Sequence, residues 1–143
     1  MSTNKAVLRR FCDAANSGDL ALLGETLDEI VALDAQIITP LPVERTGADA
    51  IKEVFSRLLH AYPDLHLEIE DLVEEGDTVV MRDIVTGTHR GEHMGIPPTG
   101  KSVEYSEIFV VRFADGRIAE LSGIVDVLSQ MKQLGAMPAA APR

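Results

Sequence analysis

The chain has 143 residues, 45% hydrophobic and 25% charged, the balance of a globular protein that fits in one domain. Its 13 basic and 23 acidic residues leave a net charge of −10, which argues against nucleic acid and anionic membranes, because phosphate binding needs clustered Lys and Arg. The single cysteine, Cys12, excludes an intrachain disulfide and reads as a small buried hydrophobe.

In chain order, Val7, Leu8, Phe11 and Ala15 form an apolar helix stripe after Ser2-Thr3-Asn4. Ser17-Gly18-Asp19 breaks it. Leu20, Leu23 and Leu27 continue as a second helix with Asp19 as N-cap. Ile30 to Thr39 reads as a strand ended by Pro40. Thr46 and Asp49 resemble a capping box ahead of the stripe Ile51, Val54, Phe55, Leu58, Leu59, a third helix that stops near Tyr62-Pro63. From His66 the period changes to two. His66–Glu74, Thr78–His89, Val103–Phe113 and Arg117–Val125 read as strands, with turns at Glu75-Gly76-Asp77 and Asp115-Gly116. Val127–Leu134 is a closing helix, ended by Gly135. The expectation is a single domain over residues 1–135 with an Ala/Pro tail over 136–143. Helices followed by antiparallel strands make it α+β, able to enclose a pocket between sheet and helices.

The N-terminal Met-Ser-Thr-Asn-Lys carries no apolar signal core, and no apolar run approaches ~18 residues. A cytoplasmic protein without a membrane partner is expected. Strand alternation puts Ile118, Glu120, Ser122, Ile124 and Asp126 on one face. If that face lines the pocket, burial raises the pKa of Asp126 and suits it to proton transfer. Asp126 also directly precedes a helix, where it suits an N-cap; both readings stand. His89, at a strand end, is a substrate contact or proton shuttle, or else a loop anchor. His89 and His93 lie ~13 Å apart if the strand continues through them, too far for one metal ion, so no metal is expected. Arg82 and Arg112, within apolar strands, either orient Asp126 or form surface ion pairs.

An ordered set of short pieces resembles the SnoaL-like polyketide cyclases of the nuclear-transport-factor-2-like superfamily. The pieces are Tyr62-Pro63-Asp64-Leu65, Glu74-Glu75-Gly76-Asp77, Arg82, Gly87-Thr88-His89-Arg90-Gly91, Gly95-Ile96-Pro97-Pro98-Thr99-Gly100-Lys101, Arg112 to Glu120, Asp126 and Gln133-Leu134-Gly135. The resemblance spans roughly residues 5 to 135. It implies a cone-shaped α+β barrel whose curved, antiparallel or mixed sheet wraps around N-terminal helices. It further implies a homodimer through the outer sheet face, and cofactor-free aldol ring closure with Asp126 as general acid/base. Many relatives carry Trp at the position of Ser122, so a different pocket shape is expected here.

The expected catalytic residues are therefore Asp126 and His89. Ser122, Ile124, Tyr105, Phe55 and Arg112 are the expected substrate contacts. The expected ligand is an apolar carbonyl compound. A related isomerase, dehydratase or epoxide hydrolase, a non-catalytic binding module, and a dimerising interaction domain are the alternatives.

Overall fold

A computed structural model describes residues 3–137. Most of the expected Ala/Pro tail lies outside the described residues. The elements follow the chain as α1 (Thr3–Asn16), α2 (Leu20–Ile30), β1 (Val31–Ile38), α3 (Gly47–Ala61), β2 (His66–Glu75), β3 (Thr78–Thr88), β4 (Ser102–Ala114), β5 (Arg117–Val125) and α4 (Val127–Leu134). Every expected helix and strand is present, with boundaries moved by a residue or two.

The five strands form one sheet in the order β1-β5-β4-β3-β2. β1 runs parallel to β5 and the other pairs are antiparallel. The sheet is not closed. Its two edges are joined instead by helices: α1 packs on β2, α3 packs on β1, and α2 touches both helices. That arrangement turns the sheet's inner face into a cone wall.

Local chemistry fixes these contacts. Asp19 caps α2 by accepting from Ala21 N (3.0 Å) and Leu22 N (3.2 Å). Asn16, at the end of α1, bonds the backbone of Leu67 in both directions (2.7 and 2.9 Å), so its amide pairs the helix end to β2 as a strand would. Thr46 precedes α3 in extended conformation but makes no side-chain cap bond. The expected capping box is not formed; Asp49 lies 3.6 Å from Lys52 instead.

The core runs along the inner face. It contains Leu8, Phe11, Leu23, Leu27, Val31, Ile51, Phe55, Tyr62, Leu67, Val79, Met81, Val85, Val111, Phe113 and Ile118. Cys12 is buried in it, its thiol 3.7 Å from the Met81 sulfur. Burial pushes that thiol well up, which suits a packing role and not a nucleophile.

The alternation of β5 is broken by a bulge. Arg112 pairs with Glu120 and Phe113 with Ile118, leaving Ala119 without an opposite number. Ile118 is inward, and beyond the bulge the inward positions become Leu121, Gly123 and Val125. Glu120, Ser122 and Ile124 therefore lie on the outer face. The expectation that all of them share one face with Ile118 is corrected: a one-residue insertion inverts every later side chain.

Candidate active site

Between the inner sheet face, α1 and α3 lies a cavity of about 80 Å³. Its walls are overwhelmingly apolar: Phe11, Val54, Phe55, Met81, Phe109 and Leu121 are among them. Into these walls project the polar groups of Tyr105, Glu107, His93, Thr39 and Gln130. Glu107 is the one carboxyl in the lining among the described residues.

Glu107 stands on β4 two residues from Tyr105 and from Phe109, so all three share the inner face. Directly opposite Glu107 on β3 is Asp83. Asp83 is 0% exposed, and neither of its oxygens has a hydrogen-bond donor. The group it interacts with is Glu107, a second acceptor, so a hydrogen bond between them requires a proton on one of the two. Burial raises the pKa of Asp83 to about 6, opposed by that hydrogen bond. Burial and then Asp83 itself push Glu107 well above the ordinary carboxyl range. Burial, with Glu107 adding to it, pushes the Tyr105 phenol up as well, keeping it a neutral donor.

The cavity mouth is formed by Thr39-Pro40-Leu41 after β1 and by His93-Met94 in the loop between β3 and β4. That loop is tied to the end of α3: the N–H groups of Arg90 and Gly91 both donate to Ala61 O (2.9 and 3.2 Å). A Cβ on Gly91 would sit 2.2 Å from His60 O, so only glycine permits the approach. His93 and Ile96 exchange backbone hydrogen bonds around a tight turn in which Met94 adopts φ 52°. A left-handed methionine is unusual and projects at the rim. Beyond the rim an open cleft of about 630 Å³ shares Leu41, His93 and Met94 and adds Arg57, His60 and Glu92.

His89 and His93 flank Tyr62, their ring centroids 5.7 and 5.6 Å from its ring. Tyr62 Oη accepts from Gln130 Nε2 at 2.7 Å, joining α3 to α4 in the interior. Burial, and then His89, lower the pKa of His93 and favour its neutral ring. His89 itself is fully buried and absent from the cavity lining. Its Nδ1 accepts from Thr99 N (3.2 Å) and lies 3.0 Å from Thr99 Oγ1, the geometry of a loop anchor. Among the described residues no group of three His, Cys, Asp or Glu side chains is placed to hold a metal ion.

The other expected site residues separate into two sets. Tyr105 and Phe55 line the cavity. Ser122, Ile124 and Arg112 do not: the bulge turns the first two outward, and Ile124 is 76% exposed. Arg112 faces solvent, 3.3 Å from Thr78 Oγ1 and 3.8 Å from Glu120. Arg82 pairs with Asp71 at 2.6 Å on the same outer face. Ser122, opposite Val110, has no part in the cavity wall. Asp126 is exposed, and its carboxylate accepts from Ser129 N (3.0 Å) and Ser129 Oγ (2.7 Å) as the N-cap of α4. Those two bonds lower its pKa. Its neighbours Val125 and Val127 line the cavity while Asp126 turns away. In the sequence Glu107 shares a face with Tyr105, Phe109, Val111 and Phe113, where either polar group could reach a pocket mouth; a solvent-exposed strand start is the simpler account there, and Glu107 is not among the expected catalytic or substrate-contact residues.

The model of the SnoaL-like polyketide cyclases matches residues 5–134. The chain belongs to the SnoaL-like polyketide cyclase family. Within the family it is 28% identical over 140 residues to the aklanonic acid methyl ester cyclase DnrD of Streptomyces peucetius, covering 94% of this chain and 92% of that one. TsrD of Streptomyces laurentii is similar in structure, with a TM-score of 0.84 and 30% identity over 94% of this chain and 96% of its own. IdmH of Streptomyces antibioticus is 34% identical with a TM-score of 0.78, covering 92% and 98%. These three proteins match nearly end to end, and the two solved structures share the fold.

Proposed function

We propose that this protein is a cofactor-free cyclase that uses Glu107 as general acid/base on an apolar compound carrying carbonyl groups. The single observation behind the reading is Glu107 itself, a carboxyl within an apolar cavity and held above its ordinary pKa. Such a carboxyl can take a proton from a carbon beside a carbonyl and return one to a developing alkoxide. Tyr105, neutral and two residues away, is placed to donate to the carbonyl oxygen as negative charge develops there. The apolar walls exclude water and hold the chain folded on itself for an intramolecular aldol closure. The named activity of the aklanonic acid methyl ester cyclases supports this class of reaction. Lyase or isomerase activity would draw on the same proton transfers.

This reading moves the acid/base role from Asp126 to Glu107 and leaves His89 as a loop anchor. The test offers aklanonic acid methyl ester and simpler 1,3-dicarbonyl chains to wild type, Glu107→Gln and Asp126→Asn, following ring closure by mass spectrometry. The expected result is turnover by wild type and Asp126→Asn, with at least a hundredfold loss in Glu107→Gln, on the order of a general acid/base contribution. Active Glu107→Gln with inactive Asp126→Asn returns the role to Asp126. Binding without turnover in any case makes the protein a ligand-binding module.

The protein is further proposed to work as a cytoplasmic homodimer joined through the outer sheet face. Ile108 and Ile124 lie side by side there, 43% and 76% exposed, with Val110 beside them. No described helix is long and apolar enough to cross a membrane. Sedimentation of Ile108→Glu/Ile124→Glu should yield monomers where wild type yields dimers.

A further inference from the structure

We infer that Asp83 is a positioning residue that shares a single proton with Glu107, so that the pair, and not Glu107 alone, performs both proton transfers of the reaction. The inference rests on the reading of Glu107 given above.

The two carboxyls face each other across β3 and β4. Asp83 lies behind the cavity wall and is absent from its lining, whereas Glu107 belongs to the lining. Among the described residues no cation is among the groups that shift either carboxyl. Ile69 stands opposite Asp83 on β2, Glu107 opposite it on β4, and the charge of Asp83 is felt by Cys12 of α1 and by Tyr105 of β4. Burial keeps both Cys12 and Tyr105 neutral, and burial raises Tyr62 in the same way. Arg9 and Asp13 act on Cys12 and are not among the groups that shift either carboxyl. Two carboxylates so placed cannot both be charged, and two neutral acids would leave no base. One proton between them satisfies both constraints.

The proton count then closes over the reaction. In the resting pair one proton lies between Asp83 and Glu107. The outward oxygen of Glu107 takes the proton from the substrate carbon, and the C–H bonding pair becomes the enolate. The pair now holds two protons and is neutral. The enolate carbon attacks the second carbonyl, forming the ring C–C bond and an alkoxide. Glu107 delivers its proton to that alkoxide, and the pair returns to one proton. Asp83 never touches substrate. Its part is to hold the first proton while Glu107 accepts the second.

The test needs no substrate. Protein with ¹³C-labelled Asp and Glu carboxyls is titrated by NMR from pH 4 to 9 as wild type, Asp83→Asn and Glu107→Gln. In wild type, two coupled steps separated by more than about one pH unit are expected. In Asp83→Asn the Glu107 step should fall by about one pH unit or more, because an amide cannot carry the competing charge. Two independent carboxyls titrating near 4 in wild type overturn the inference, a result readable even if Asp83→Asn fails to fold. An unmoved Glu107 step in a folded Asp83→Asn overturns it equally. Turnover separates the two claims: an active Glu107→Gln sinks the reading of Glu107, whereas an inactive one beside an unmoved titration sinks the pairing alone.

Discussion

Glu107 and Asp126 are backbone neighbours with opposite destinations. The N–H of Asp126 donates to Ser106 O at 3.0 Å, one residue from Glu107. Glu107 nevertheless enters the cavity, while Asp126 turns back onto the first turn of α4. The chain passes from β5 to α4 at this point, and the change of direction sends adjacent carboxyls to different solvents. One becomes a perturbed acid in an apolar wall, the other an ordinary cap.

Removing the cap should therefore affect stability and leave the cavity chemistry intact. Asp126→Ala deletes the acceptor for Ser129 N and is expected to lower the Tm by a few degrees. Asp126→Asn keeps an N-cap oxygen and should lose little. Thermal melts followed by circular dichroism compare the two. An Asp126→Ala melt indistinguishable from wild type would remove the cap role.

The carboxyl pair predicts an unusual dependence of stability on pH. Unfolded, Asp83 releases its proton near 3.8; folded, its pair with Glu107 gives up the first of its two protons near about 6. Between these values the folded chain holds the extra proton, so raising the pH favours unfolding. Stability should fall by roughly 2 kcal/mol from pH 4 to 6, the steepest part running at about 1.4 kcal/mol per pH unit. Glu107, also raised, extends the fall to higher pH. His93 acts oppositely: its folded pKa is depressed, so its cost grows as the pH drops below 6.5. Asp83→Asn should be more stable than wild type at pH 8, with the advantage gone at pH 4. Urea denaturation at stepped pH measures this, and parallel curves for the two proteins would contradict it.

The sequence disclosed the elements because its periods are clean: the i, i+3, i+4 stripe of α3 and the alternation of β3 leave little choice. It also placed Tyr105 and Phe55 in the cavity, since each sits on an apolar face before any irregularity. It failed where one residue changes the phase. Nothing around Ala119 distinguishes a bulge from a regular strand, so Ser122 and Ile124 were assigned to the wrong face. The pairing of Asp83 with Glu107 was hidden for another reason. It depends on the register of β3 against β4, which a loop of 13 residues between the strands does not fix. Both acids stood on apolar alternations, and that was the available signal.

The buried bond between Tyr62 and Gln130 should show strong coupling. Gln130 is 2% exposed, and its amide donates to Tyr62 Oη. Tyr62→Phe removes the acceptor and leaves a buried donor unpaired, at a cost of about 1–3 kcal/mol. Gln130→Leu removes the donor, and the double variant should recover part of the loss. A double-mutant cycle in urea gives the coupling; simple additivity would show that the two groups act independently.

Gly123 sets how far Phe109 lies back from the cavity. The two are opposite in the β4–β5 register, and a Cβ on Gly123 would come within 2.3 Å of the Phe109 ring. Because Phe109 lines the cavity, the ring has to swing toward the ligand space to make room. Gly123→Ala is expected to destabilise the fold by about 1–3 kcal/mol, as overpacked cores do, and to weaken binding of an apolar probe such as a naphthalene-based fluorophore. Gly123→Ala with Phe109→Ala should restore probe binding, because the smaller side chain at 109 reopens the space. If the single variant binds the probe as wild type does, Phe109 is free to move elsewhere and Gly123 does not shape the pocket.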